Sequence, residues 1–125
     1  MPKTVDDGVI QASAFILREG ELGLSVNWLE FLGCPDRATE IAEMQRVYAS
    51  KLTIGRSAKI AILNVGEIRD LVYRETEDNR TIEVLHAPDE LHNDPSHSEI
   101  MNLRPDNEFI AELILEIILE THPAR

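Results

Sequence analysis

The chain has 125 residues, 43% of them hydrophobic, and sets 23 acidic side chains against 12 basic ones for a formal net charge of −11. That length and that apolar share suit one domain with its own core and exclude wholesale disorder. The acidic balance disfavours binding to a nucleic-acid backbone or an anionic membrane, both of which draw on clustered Lys and Arg, and it would attract a basic partner.

A single cysteine, Cys34, excludes an internal disulfide framework or a Cys-based zinc site within one chain and fits a reducing compartment. No apolar stretch is long enough to span a bilayer. The longest, 109–119, is interrupted by Glu112 and Glu116. The opening residues MPKTVDDGV lack the apolar segment of a signal peptide. A cytoplasmic protein is the expectation.

Taken in order, residues 1–12 are polar, with a turn at Asp6-Asp7-Gly8. Residues 13–17, SAFIL, read as a strand, 18–23 as a hairpin connection with two glycines, and 24–26 as the return strand. Asn27-Trp28-Leu29-Glu30 fits a capping box that Gly33 would terminate. On this reading Asn27 is a cap and Trp28 a core aromatic; a ligand-stacking platform is the alternative. Pro35 at the first helical position, with Cys34 or Asp36 as cap, opens a helix whose apolar positions are Ala38, Ile41, Ala42, Tyr48 and Leu52, flanked by Met44 and Val47. Cys34 at a helix start has the setting of a nucleophile, although a structural role is commoner there.

Residues 59–65, KIAILNV, predict a central strand buried on both faces. Gly66 leads into a helix over 67–76 with Ile68, Leu71 and Val72 inward. One glycine followed by Glu67 does not make a phosphate loop. Residues 77–80 form a turn and 81–85 a strand ending at His86, followed by a loop over 87–94. Asp94-Pro95 then reads as the capped start of a short helix reaching about Asn102. After a break at 104–106, Asp106 caps a last helix over 107–121. Its apolar cover is wider than a one-sided surface helix needs, which points to a central position or to a partner. Phe109, Leu115, Ile118 and Leu119 are the candidate interface residues.

The chemistry concentrates in 81–101, which carries three of the four histidines. His86, His92 and Asp94 are the candidate metal ligands, and His86 and His97 the candidate catalytic residues, with Asp89 and Glu99 as their carboxylate partners. The spacing matches no zinc motif. Ser13 and Ser25 lack the GxSxG elbow of a hydrolase. The cofactor, if one is used, is unknown.

Two stretches, 13–30 (SAFILREGELGLSVNWLE) and 86–100 (HAPDELHNDPSHSEI), resemble segments of a recurring group of small prokaryotic proteins. The resemblance implies a prokaryotic origin and carries over no catalytic residue. The expected fold is α+β, or a small α/β layer structure, with a mixed sheet of about four strands and two short and three longer helices packed on it. The expected function is that of a non-enzymatic binding or regulatory protein acting through the last helix, on a second copy or another protein. A small His-dependent hydrolase or nuclease-like effector, with or without a divalent metal, is the alternative. An acidic nucleic-acid mimic ranks third.

Overall fold

Along residues 97–101, Ser98 and Ile100 are buried while His97, Glu99 and Met101 are half-buried. This period of two belongs to a strand with one covered face, and the molecule is assembled around it. The computed structural model describes residues 5–6, 9–104 and 107–125. In order, the elements are β1 (Val5–Asp6), β2 (Val9–Ile10), a 3₁₀ turn (Ala12–Phe15), β3 (Gly23–Asn27), a second 3₁₀ turn (Leu29–Leu32) and α1 (Arg37–Lys51). They continue with β4 (Lys59–Ile62), α2 (Val65–Glu75), β5 (Glu83–His86), β6 (His97–Met101), α3 (Asn107–Ile117) and β7 (Glu120–Pro123).

β6 lies between β3 and β5, antiparallel to both. The register aligns Leu24, Ile100 and Val84 on one face, with Val26, Ser98 and His86 beside them. The opposite face carries Ser25, Glu99 and Leu85, and Asn27 opposite His97. The first face lies on the main core, where Ile100, Ile82 and Leu103 meet Ile68 and Val72 of α2 and Ile110, Leu113 and Ile114 of α3. A second core gathers Ile41, Met44 and Val47 of α1 with Ile60 of β4 and Ala124.

The α+β class holds, with the strands in three small sheets: β3-β6-β5, β4-β7 and β1-β2. Among the described residues no helix is long and apolar enough to cross a membrane. Gly33 ends the 3₁₀ turn in the left-handed region at φ 67°, as its position predicts. Asp36, one of the two expected caps, accepts from the Thr39 amide at 2.8 Å, which leaves Pro35 before the cap and not inside the helix. Ala38 and Ala42 prove exposed.

Several expectations are corrected. Residues 13–17 do not form a strand. Residues 13–15 belong to the first 3₁₀ turn, Ile16 leaves it extended, and the Leu17 amide donates to Asn107 Oδ1 instead of to a sheet neighbour. Short apolar runs do not distinguish strand from helix by periodicity. The run at 59–65 is apolar on both sides for a reason other than centrality. β4 has one strand partner, β7, but Ile60 and Ile62 face the second core while Ala61 and Leu63 face the first. The helix expected at 94–102 is β6, because Asp94 turns its carboxylate back onto the Ser96 amide two residues on and so closes a turn. α3 stops at Ile117, and its last expected turn becomes β7. Arg80, expected in a plain surface turn, is buried, with Nη1 donating to the Leu103 carbonyl. The Asp7-Gly8 turn, the Pro105 break and the Asp106 cap lie outside the described residues.

Candidate functional site

The loop joining β5 to β6 folds back on itself as a small inner hairpin. Asp89 and Asp94 exchange both backbone hydrogen bonds, at 3.0 and 2.9 Å, around a tip where Asn93 adopts φ 52°. A positive φ is tolerable for Asn because its side chain is short and polar. This geometry places the Asp94 carboxylate against the end of β3 and the last turn of α1.

Asp94 is only 1% exposed. Burial of an anion at this depth requires a full set of donors. Its Oδ1 accepts from the Ser96 hydroxyl (2.6 Å) and amide (3.1 Å), and its Oδ2 from Asn27 Nδ2 (2.9 Å) and Lys51 Nζ (2.9 Å). Lys51 also meets Asp89 at 3.0 Å. Asn27 Oδ1 accepts from the Tyr48 hydroxyl at 2.6 Å. Among the described residues no buried side-chain nitrogen or oxygen lacks a partner. Burial alone would raise the Asp94 pKa, but bonds from Ser96 and Lys51 outweigh it and hold the carboxyl below its ordinary value. Asp89 is held at about 2, first by its bond from Lys51. Burial works to lower the Lys51 pKa, and the two aspartates carry it above its ordinary value. The Tyr48 hydroxyl is pushed up to about 12 by burial and by the nearby charge of Asp94.

The histidines stand around this clamp and point different ways. The Pro95 carbonyl, which can only accept, takes a hydrogen bond from His86 Nε2 at 2.6 Å. The Ala87 carbonyl takes one from His97 Nδ1 at 2.8 Å. His92 Nδ1 faces Asp89 Oδ2 at 2.9 Å. Among the described residues no group of three His, Cys, Asp or Glu side chains stands where it could hold a metal ion, so His86, His92 and Asp94 are not brought together as a ligand set. The physical reason is that the Asp94 oxygens already serve Lys51, Asn27 and Ser96. The hydroxyls of Ser96 and Ser98 likewise serve Asp94 and the Ser96 carbonyl. The Asp89–His92 pair has the orienter-and-base arrangement of acid–base catalysis, and its Asp89, though not His92, lines a depression of about 140 Å³ with Pro88, Glu90, Asn93, Asp94 and Pro95. The Cys34 thiol is pushed above its ordinary pKa, first by desolvation and then by Glu43, Glu40 and Asp36, the opposite of what a thiolate nucleophile requires.

Asn27 is not a helix cap. Trp28 takes the cap position without a side-chain bond, its amide donating to the Ser96 carbonyl at 2.8 Å. Nor is Trp28 a core residue. It is 39% exposed and Phe31 43% exposed. Their rings meet edge to face at 5.1 Å, and Phe31 lies flat on the His86 ring at 3.6 Å with 5° between planes. The outcome is a three-ring cluster on the surface, seated on the clamp through adjacent residues: Asn27 beside Trp28, and Pro95 under His86. The candidate interface residues of 109–119 divide between core and surface. Leu115 and Ile118 pack against the main core, while Phe109 is 47% and Leu119 95% exposed.

Lys51 and Asn27 as partners of Asp94, and Tyr48 as the donor to Asn27, are absent from the sequence reading. A lysine one turn beyond Val47 and Tyr48 on an apolar helical stripe was the available signal. No protein-family model, curated protein or solved structure matches the chain.

Proposed function

We propose that this chain is a non-enzymatic binding protein whose protein–protein contacts run through Trp28, Phe31 and His86. The observation that carries the reading is the exposure of the chain's one tryptophan within a stacked three-ring cluster. Tryptophan and other aromatics concentrate at the energetic centres of protein interfaces, where large rigid rings are ordered at small entropic cost. The backbone beneath them is held by the Asp94 clamp, so the rings are pre-positioned. α3, the surface favoured by sequence, uses most of its apolar width inside the chain, between the first 3₁₀ turn and α2.

The test is a photo-crosslinking residue at position 30, followed by purification of the captured protein and measurement of its rebinding. Capture and rebinding should be lost with Trp28→Ala/Phe31→Ala and kept with Phe109→Ala. A partner that is indifferent to Trp28 and Phe31, or is lost with Phe109 or Leu119, overturns the choice of face.

A second reading, a small His-dependent hydrolase, rests on the Asp89–His92 pair beside its depression. It requires turnover of a hydrolysable ester, screened with and without divalent metals, that His92→Ala abolishes while the fold is kept.

A further inference from the structure

The two segments that build the three-stranded sheet and the ring cluster, 19–36 and 81–103, contain no lysine or arginine. They hold nine acids: Glu19, Glu21, Glu30 and Asp36 in the first, and Glu83, Asp89, Glu90, Asp94 and Glu99 in the second. They therefore carry −9 of the net −11, and the other 84 residues nearly balance, with 14 acids against 12 bases. Lys51 reaches in to answer Asp89 and Asp94. Among the described residues no ion pair engages Glu30, Glu83, Glu90 or Glu99. Glu30 adjoins Phe31 in the same 3₁₀ turn and Glu90 sits at the rim of the inner hairpin, while Glu83 and Glu99 lie on the sheet face opposite His86.

Given the contact face proposed above, we infer that its occupant is a cationic segment of a partner protein, an arginine- or lysine-rich stretch that lays a side chain on the exposed indole of Trp28. A guanidinium is attracted to the ring face and is planar enough to stack on it, and Glu30, two residues further along the chain, offers a carboxylate to answer its charge. Charge complementarity selects this occupant over the alternatives. A second copy of the chain would bring its own Glu30 and Glu90, on segments without lysine or arginine, to the same place, and an uncharged apolar segment would leave both glutamates unanswered. The same asymmetry would speed encounter with a basic partner at low ionic strength and fade as salt rises.

The full chain is titrated with an arginine-rich peptide and with glutamate-rich and neutral peptides of the same length, following Trp28 emission. With one tryptophan in the chain, the signal reports this face alone. The expected result is a saturable change with the arginine-rich peptide only, weakening as salt is raised to about 0.3 M. By calorimetry, Trp28→Ala/Phe31→Ala should weaken binding by about tenfold or more. Because that variant alters the surface packing, Glu30→Gln/Glu90→Gln provides an isosteric check and should weaken binding by roughly threefold while flattening its salt dependence. Phe109→Ala, equally exposed but elsewhere, should bind as the parent does. The inference is overturned by the absence of a saturable change, by equal binding of the glutamate-rich peptide, by unaltered affinity in the ring variant, or by a concentration-dependent dimer that Trp28→Ala abolishes. A crosslinked partner that needs Trp28 but meets it with an uncharged segment overturns the charge inference alone. A partner indifferent to Trp28 overturns the contact face as well.

Discussion

Asp94 holds a negative charge where almost no water reaches it, and the molecule tolerates this because four donors converge on its two oxygens. Removing one partner of a buried ion pair leaves the other uncompensated. Lys51→Met should therefore destabilise the fold by about 3 kcal/mol in urea unfolding, more than a surface lysine substitution does. The pH dependence has a definite sign. Asp89 and Asp94 are held below the ordinary carboxylate value of 3.8, Asp89 at about 2. Their stabilisation is complete above that ordinary value and is lost as the pH falls below it, for Asp89 down to about 2. Acid unfolding should fall in that window, and Lys51→Met should blunt it, as circular dichroism against pH would show. Tyr48 acts at the other end. Its pKa is raised from 10.0 to about 12, so the unfolded chain gives up the proton first and stability drops as the pH climbs between those values. Tyr48→Phe should reduce this alkaline loss, measured as the unfolding midpoint at high pH, and should cost about 1 kcal/mol near neutrality for the bond to Asn27. An unchanged alkaline profile in that variant would remove Tyr48 from the account.

At the scale of elements, β6 constrains its neighbours most. A Cβ placed on Gly23 would stand 2.5 Å from Met101 Sδ and 3.0 Å from Glu99 Cβ, so a side chain at the first residue of β3 would push the Met101 side chain aside and crowd β6. Gly23→Ala should cost about 1–3 kcal/mol, and Met101→Ala in the same chain should recover part of it, a coupling that a double-mutant cycle by denaturant titration would measure. Elements with strong local signals were legible in the sequence. α2 follows its apolar period, although its cap, Asn64, falls inside the strand expected over 59–65, and Gly33 stops the turn where a left-handed residue is needed. β6 was not legible, because its inward positions are Ser98 and Ile100, with Ser96 before them. Buried serines read as polar, and Asp94-Pro95 looks like a helix start until the carboxylate is seen closing a turn onto Ser96. The ring cluster was hidden for a related reason. The local pattern around Trp28 gives its neighbours but not its exposure, which depends on where β5 delivers His86. The clamp is non-local, with Asn27 and Asp94 separated by 67 residues, and no spacing rule reaches that far.

Across the whole molecule the clamp adds a joint between two cores that otherwise meet at β4, whose Ile60 and Ile62 face one and whose Ala61 faces the other. Asn27, Asp94 and Ser96 belong to the sheet and its loop, and Tyr48 and Lys51 to α1. Regions joined by few shared contacts open separately when the joint is weakened. In Asn27→Ala/Lys51→Met, amide exchange should accelerate first in α1 and in the β4–β7 ladder, while β6 and α3 stay protected; uniform acceleration would show that the two cores open as one. The β4–β7 ladder has a further consequence for the life of the chain before it is finished. Lys59–Ile62 pairs with Glu120–Pro123, and the Ala124 amide closes onto the Ala58 carbonyl. A nascent chain made from its N-terminus must hold Ile41, Met44, Val47 and Ile60 without their covering strand while residues 63–124 are added, roughly 3–12 s at ordinary rates of synthesis. Through that interval α1 is a sticky amphipathic segment, and chaperone capture or aggregation during expression should be felt there before it is felt anywhere in the sheet.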